Sequence, residues 1–307
     1  MVLPVSVYNA LLTLFDMVLL GLQIIYFILE AAYESIIPRK EKELQGEVAV
    51  VTGGGHGIGL ELVRQLSDLG VKVAVWDING QTANLAVKEI EKKGGLGLPL
   101  TVDVSDRESI RRAVDKTRSE LGEVTLLFNN AGIMPCKPFL NHSGAEIQKI
   151  FEVNVFSQYW TLMEFLPRMI SLNRGHIISM SSMAGITGTP NLVPYCSSKF
   201  AVKGLMDALF LELRSTHPDT NVKLTTIHPF VVDTGLAQKP RSRFESIIPI
   251  TAPDSAAAQV ISATRRDYEY AFIPSILCPL TALSKLFPRK AQLALLDFTD
   301  CNCDAHE

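Results

Sequence analysis

From residue 46 onward the hydrophobic positions switch repeatedly between two periods. Short β-branched apolar runs, which read as buried strands, fall at 47–51, 71–76, 97–102, 124–128, 176–180, 222–227 and 268–272. Between them, apolar residues recur at helical spacing over 58–69, 82–93, 107–121, 145–171, 194–215 and 253–264. Strand–helix alternation of this kind predicts parallel strands joined by right-handed crossovers, with helices on both faces. The expected fold class is therefore α/β, a doubly wound parallel sheet, preceded by an N-terminal hydrophobic helix.

That first segment has a different pattern. Between residues 2 and 29 the one formally charged side chain is Asp16. A stretch of this length suffices to cross a bilayer, which needs roughly 20 apolar residues. No Lys or Arg precedes it and no small-residue cleavage site follows, so a membrane anchor is expected rather than a cleaved signal. Arg39, Lys40 and Lys42 come next, which by the positive-inside tendency puts the body of the chain on the cytosolic side. Asn9, Asp16, Gln23 and Glu30 recur at every seventh position and form a narrow polar stripe, drifting about 20° per repeat. An aspartate at mid-bilayer costs on the order of 3 kcal/mol. Two arrangements relieve that cost: a helix lying in the membrane surface with its stripe to water, or two stripes hydrogen-bonded inside the bilayer. Surface or monolayer attachment is the expectation.

The predicted organisation is an anchor at 1–38, a charged linker at 39–45, an α/β domain at 46–272, and an apolar extension with a tail at 273–307. Residues 272–287 are apolar, broken by Pro274 and Pro279 and followed by Lys285, Arg289 and Lys290. A second membrane-contacting patch is expected there, the alternative being a helix packed on the domain.

Composition narrows the functional classes. The formal charge is −3, so no basic excess exists to neutralise phosphates and no nucleic-acid partner is expected. Five cysteines, odd in number and mostly scattered, do not suggest a disulfide framework. Cys301, Cys303 and His306 are read as part of a frayed acidic tail rather than a metal site, and no metal is expected.

The first strand runs into Thr52-Gly53-Gly54-Gly55-His56-Gly57-Ile58-Gly59. A strand-to-helix turn that must approach a pyrophosphate needs glycines, and the helix N-terminus beyond it offers free N–H groups. Gly53, Gly57, Ile58 and Gly59 are thus candidate cofactor-binding positions, and His56 is read as a loop residue. Asp77 closes the second strand, where a carboxylate accepts hydrogen bonds from the adenosine ribose and repels a 2′-phosphate. No Arg or Lys lies in the turn or directly after Asp77, so NAD is favoured over NADP. Asp103 and Val104 end the third strand in the same layer, within reach of an adenine. Asn129-Asn130-Ala131-Gly132 ends the fourth, with Asn130 and Ala131 expected along the cofactor crevice.

Chemistry is expected from Tyr195-Cys196-Ser197-Ser198-Lys199, preceded by Ser182. Tyr195 and Lys199 are four apart on a predicted helix and project from one face. A tyrosine with a pKa near 10 is a poor base until nearby positive charge stabilises its phenolate. The expectation is that the Lys199 ammonium and a nicotinamide lower Tyr195, which then takes a hydroxyl proton while hydride leaves the carbinol carbon. Ser182 would hold the same oxygen and so touch the substrate. Asn154, in the long helix, would anchor a water linking Lys199 to solvent.

These pieces together resemble the short-chain dehydrogenase/reductase family over residues 46–272. The resemblance implies a Rossmann-like sheet of about seven strands, a catalytic tetrad of Asn154, Ser182, Tyr195 and Lys199, and a homodimer built on two long helices. Thr234 matches the position that touches the nicotinamide carboxamide. The hydrophobic N-terminus, the run from Tyr195 to Ala201 and Pro229-Phe230-Val231-Val232-Asp233-Thr234-Gly235 are similar to a membrane-associated branch. That branch includes epidermal retinol dehydrogenases and lipid-droplet 17β-hydroxysteroid dehydrogenases. Phe230 departs from the glycine that many members carry after the proline. The resemblance implies an NAD-dependent oxidoreductase for a lipophilic substrate, retinoid or steroid, on the endoplasmic reticulum membrane or a lipid droplet and facing the cytosol. The segment 236–250 is expected to close over the substrate. Alternatives are an NAD-binding scaffold at a lipid surface, against which the intact tetrad argues, and an NADPH-dependent carbonyl reductase, which Asp77 disfavours.

Overall fold

The structure is a computed structural model whose described residues are 5–236, 240–241, 243, 249–300 and 302–303. The chain divides into two compact units, residues 1–42 and 43–307. In the first, α1 (Val5–Ile36) is one continuous helix. Its apolar side chains, Leu11, Phe15, Leu22 and Phe27 among them, are exposed, and it is long and apolar enough to cross a membrane.

The second unit alternates β1 (Val48–Thr52), α2 (Gly57–Asp68), β2 (Lys72–Asp77), α3 (Gly80–Lys92), β3 (Gly97–Thr101), α4 (Arg107–Leu121) and β4 (Leu126–Asn129). It continues with α5 (Gly144–Phe151), α6 (Ser157–Ser171), β5 (Gly175–Met180), α7 (Val193–Thr216) and β6 (Val222–Pro229). Then come β7 (Pro240–Arg241), α8 (Pro253–Arg265), β8 (Tyr270–Ile273), α9 (Leu277–Ser284), α10 (Arg289–Thr299) and β9 (Asn302–Cys303). Among the described residues, seven strands form one parallel sheet in the order β3-β2-β1-β4-β5-β6-β8. This is the doubly wound, Rossmann-like sheet that the sequence predicts.

Every residue of β1 is buried because both faces of the sheet are covered. Ala49 and Val51 face one layer, with Leu62 and Leu66 of α2, Ile90 of α3 and Val260 of α8. Val48 and Val50 face the other, with Ile110 of α4, Phe165 of α6 and Met206 of α7. In that second layer Trp76 and Phe165 pack with ring centroids 5.9 Å apart. The Trp76 indole donates to Thr117 Oγ1 at 3.2 Å, so a large buried side chain leaves no unsatisfied N–H. Truncating Phe165 to alanine in such a core would cost about 3–5 kcal/mol.

One expectation needs correction. The helix predicted over 145–171 is interrupted: a π-helical turn at Glu152–Phe156 separates α5 from α6. An apolar pattern reports which face is buried and does not reveal one extra residue in a turn. The apolar stretch after β8 contains α9, on which Leu280 and Leu283 stay exposed, as does Leu286 between α9 and α10.

The chain runs outward from β1 to β2 and β3, then crosses back to β4 on the opposite side of β1. A crevice at the C-terminal ends of strands is where open α/β sheets bind ligands when strand order reverses. The residues described next gather along this edge.

Candidate active site

The glycine turn lies in that crevice. Gly53 and Gly57 take positive φ angles of 63° and 54°, which glycine alone adopts without penalty. Gly59 approaches the strand end so closely that an added Cβ would sit 2.0 Å from the Gly53 carbonyl oxygen. Ile58, partly buried, follows Gly57 in the first turn of α2. Thr234 closes the far side: a Cβ on Gly57 would lie 3.0 Å from the Cβ of Thr234. His56 is exposed and makes no capping bond to α2, as a loop residue should.

Asp77 ends β2 beside this turn. Its Oδ2 accepts from Gly55 N–H at 2.9 Å and its Oδ1 from Asn79 N–H at 2.9 Å. The carboxylate thus fixes the turn as well as placing negative charge there. Asn130 Nδ2 donates to the carbonyl oxygens of Thr52 at 2.9 Å and Gly53 at 3.3 Å, tying β4 to the turn. Asn130 and Ala131 also donate their backbone N–H groups to Thr52 Oγ1. Asp103 is occupied locally: its Oδ1 accepts from Ser105 N–H and Oγ–H, and Lys149 stands 3.7 Å from its Oδ2. Partial burial raises its pKa, but the Ser105 and Lys149 interactions outweigh that and hold it below the ordinary carboxylate value. Val104 beside it is buried.

Tyr195, Lys199 and Ser182 converge at the neighbouring strand ends. All three are buried, at 7%, 4% and 8% exposure. Tyr195 and Lys199 sit one turn apart in α7, which begins with Pro194 at its first turn. Ser182, just past β5, stands beside Tyr195 and favours its phenolate, while its Oγ accepts from Ala184 N–H at 3.1 Å and donates to the Pro229 carbonyl at 3.4 Å. Lys199 Nζ lies 5.6 Å from the centroid of the Tyr195 ring and donates to the Met180 carbonyl at 2.8 Å.

The protonation states differ from the expectation. Within the protein alone, burial pushes Tyr195 up to about 12, and the Ser182 hydrogen bond opposes this only in part. Burial likewise brings Lys199 down from 10.5 to about 8. Desolvation penalises both charged forms and is the largest cause for each.

Asn154 occupies the π-helical turn. Its Oδ1 accepts from Ile133 N–H at 2.9 Å, and its Nδ2 donates to the Ile133 carbonyl and to Ser198 Oγ, each at 3.0 Å. Ser198 in turn donates to the Tyr195 carbonyl at 2.7 Å. Gly132 sits between the two functional groups, since a Cβ there would lie 3.4 Å from Asn154 Oδ1 and 3.5 Å from Lys199 Nζ. Asn154 therefore fastens the loop after β4 to α7.

Three supporting residues escape the sequence reading. Ser181 Oγ donates to the Lys199 carbonyl at 2.9 Å. Gly185 leaves room for that contact, since a Cβ there would lie 2.6 Å from the same oxygen. His228, fully buried at the end of β6, contacts the carbonyl oxygen of Ser182. A buried histidine beside a strand-end proline was the available signal.

The tail also departs from expectation. Cys301 and His306 lie outside the described residues, but Cys303 is 6% exposed rather than frayed. Among the described residues no group of His, Cys, Asp and Glu is arranged to hold a metal. Most of the segment 236–250 lies outside the described residues.

Comparison with known proteins agrees with this geometry. Residues 47–244 match the profile of the family described as short chain dehydrogenase. Estradiol 17-beta-dehydrogenase 11 of Rattus norvegicus is 34% identical over 277 residues, covering 90% of this chain and 92% of that protein. Epidermal retinol dehydrogenase 2 of Homo sapiens is 32% identical over 275 residues, covering 89% of each. Among solved structures, a short-chain dehydrogenase/reductase from Burkholderia phymatum in complex with NAD superposes with a TM-score of 0.72. It is 23% identical and covers 87% of this chain and 99% of its own, a likeness of fold.

Proposed function

We propose, from the premise that this chain belongs to the short-chain dehydrogenase family of oxidoreductases, that it interconverts a lipophilic alcohol and its carbonyl compound with NAD. A retinol or a steroid is the substrate class, in keeping with what the names of its relatives say of them. The observation that carries the reading is the buried group of Tyr195, Ser182 and Lys199 beside a glycine turn fixed by Asp77.

The residues at the crevice fit NAD. Gly53, Gly57 and Gly59 let the turn fold tightly, since a Cβ on them would press on Ala131, Thr234 and the Gly53 carbonyl, and Asp77 carries a carboxylate where a 2′-phosphate would be repelled. The first basic residue after Asp77 is Lys88, beyond the start of α3. Gly53, Gly57, Ile58, Gly59, Asp77, Asp103, Val104, Asn130, Ala131 and Thr234 would hold the cofactor, with Tyr195 and Lys199 reaching its nicotinamide end. NAD, when bound, supplies the hydride acceptor.

The chain's own groups handle the proton. Tyr195 Oη, kept neutral by burial, gives a proton to a carbonyl oxygen; taking one from an alcohol requires positive charge close by. Ser182 orients the substrate oxygen against that phenol. Lys199 supplies positive charge below about pH 8, and Asn154 holds α7 against the loop after β4.

The same reading takes residues 1–38 as a membrane anchor, 39–45 as a linker, 46–272 as the catalytic domain and 273–307 as an apolar extension. Exposed apolar side chains along α1, and Leu280, Leu283 and Leu286 near Lys285 and Arg289, support attachment to a reticulum or lipid-droplet surface. Exposed Tyr159 and Met163 on α6 and Phe200 and Leu211 on α7 support a homodimer through those helices.

The deciding experiment is NAD-dependent oxidation of all-trans-retinol and estradiol by the full chain in detergent, with Tyr195→Phe beside it. Turnover lost in the variant is the expected result. Intact NAD binding with no turnover of either alcohol would overturn the substrate assignment and favour the scaffold reading.

A further inference from the structure

The C-terminal end of the described chain is fastened to the active site at several points. After α10, Asp300 turns the chain with a left-handed φ of 45°. The Thr299 carbonyl accepts from Arg243 N–H at 3.1 Å, and the Arg243 guanidinium lies 5.2 Å from the Phe298 ring centroid. Asn302–Cys303 then pairs antiparallel with Pro240–Arg241. The Cys303 carbonyl accepts from Asn191 Nδ2 at 3.0 Å and from the Cys136 thiol at 3.8 Å.

Those two donors belong to the loops that flank Tyr195. Cys136 lies on the loop after β4 and Asn191 on the turn before α7, and Lys137 N–H to the Asn191 carbonyl, at 2.9 Å, joins the two. Cys303 shares one buried cluster with Cys136, Leu192, Tyr195 and Cys196, and Met134 packs against it. This buried cluster that includes Tyr195 is apolar and rich in sulfur. Thiols and thioethers are soft and polarisable, and they adapt to flat rings and polyenes.

We infer that the strap at Asn302–Cys303 forms a wall of the substrate pocket beside Tyr195 and sets how large an apolar alcohol is held there. The inference rests on the proposed function for its substrate class. An apolar wall contributes in proportion to the apolar surface it covers, so a bulky substrate depends on it more than a small one.

Two measurements test it on the full chain in detergent. The first is N-ethylmaleimide alkylation followed residue by residue by mass spectrometry, with exposed Cys278 as the internal standard. Cys303 is expected to react at least ten-fold more slowly than Cys278, and more slowly still with retinol present. Asn191→Gly, which suits that residue's positive φ of 62°, removes one of the strap's ties and should speed Cys303 alkylation, while the Cys136 thiol and the pairing with Pro240–Arg241 keep it below the Cys278 rate. The second is the ratio of kcat/KM for retinol to that for cyclohexanol. It should fall at least ten-fold, mainly through KM for retinol, in a chain ending at Thr299, and by less in Asn191→Gly.

Cys303 reacting as fast as Cys278 in the unmodified chain overturns the inference. So does an unchanged substrate ratio in the chain ending at Thr299. If the unmodified chain turns over no alcohol, the proposed function fails, and retinol protection of Cys303 decides the wall by itself: protection upholds it, and none overturns it.

Discussion

His228 Nδ1 stands 3.2 Å from the carbonyl oxygen of Ser182, and because a carbonyl only accepts, the ring proton is assigned to Nδ1. The ring is fully buried, stacks on Phe272 at 5.0 Å, and is driven down to about 4 by burial. His228 thus anchors the backbone of Ser182 as a neutral donor. His228→Leu leaves that carbonyl with the Gly185 N–H alone, at 2.8 Å, and should cost about 0.5–1.5 kcal/mol. In melting and steady-state assays, it should lower Tm and kcat while KM for NAD holds, and His228→Asn should recover most of kcat. A depressed histidine pKa makes the unfolded chain bind the extra proton, so stability should fall as pH drops from 6.5 towards 4. That component should vanish in His228→Asn, as urea titrations across the window would show.

Lys199 has the same sign at higher pH. Its value falls from 10.5 to about 8 on burial, so between those limits the unfolded chain carries more protons. Stability from this group should therefore rise with pH from 8 to 10.5. Lys199→Met should flatten that rise and abolish turnover. A Lys199→Met chain whose denaturation midpoint tracks the unmodified one across this range would contradict the burial argument.

Glycines at two sites should respond in opposite ways to a single methyl group. Gly59→Ala puts a Cβ 2.0 Å from the Gly53 carbonyl oxygen, a backbone atom that cannot move without opening the turn. Loss of NADH binding by fluorescence is expected. Gly144→Ala, at the start of α5 with nothing within 4 Å, should be neutral or stabilising by about 0.4–1 kcal/mol.

Removing charge from Asp77 tests the cofactor assignment. Asp77→Asn retains an acceptor oxygen for the turn but loses the repulsion of a 2′-phosphate. The NAD-to-NADP ratio of kcat/KM should drop at least ten-fold. An unmodified chain that already prefers NADP would sink the assignment of NAD.

Most of the scaffold was written in local pattern. The helix expected at 107–121 is α4, Arg107–Leu121, because Asp106 caps its start through Glu108 N–H and Gly122 ends it. The Tyr195–Lys199 pair was legible for the same reason, a spacing of one helical turn. What stayed hidden depends on distant partners. The protonation of Tyr195 follows from burial by the whole fold, and Cys303 is buried by residues 112 and 167 positions away. His228 falls one residue beyond the strand expected at 222–227, and its role is defined by the Ser182 carbonyl, two residues past the end of β5.

The π-helical turn at Glu152–Phe156 gives this gene a quiet route to an inactive product. Deleting one codon there would let the turn close as ordinary α-helix, with the preceding segment rotated by about 100° relative to α6. The ladder of backbone bonds would survive, and within α5 the disturbed core contact is that of Ile150. Asn154 would swing away from Ile133 and Ser198. Such a protein would keep its far-ultraviolet circular dichroism and its NADH binding while losing turnover, so that inspection of its helices would miss the lesion.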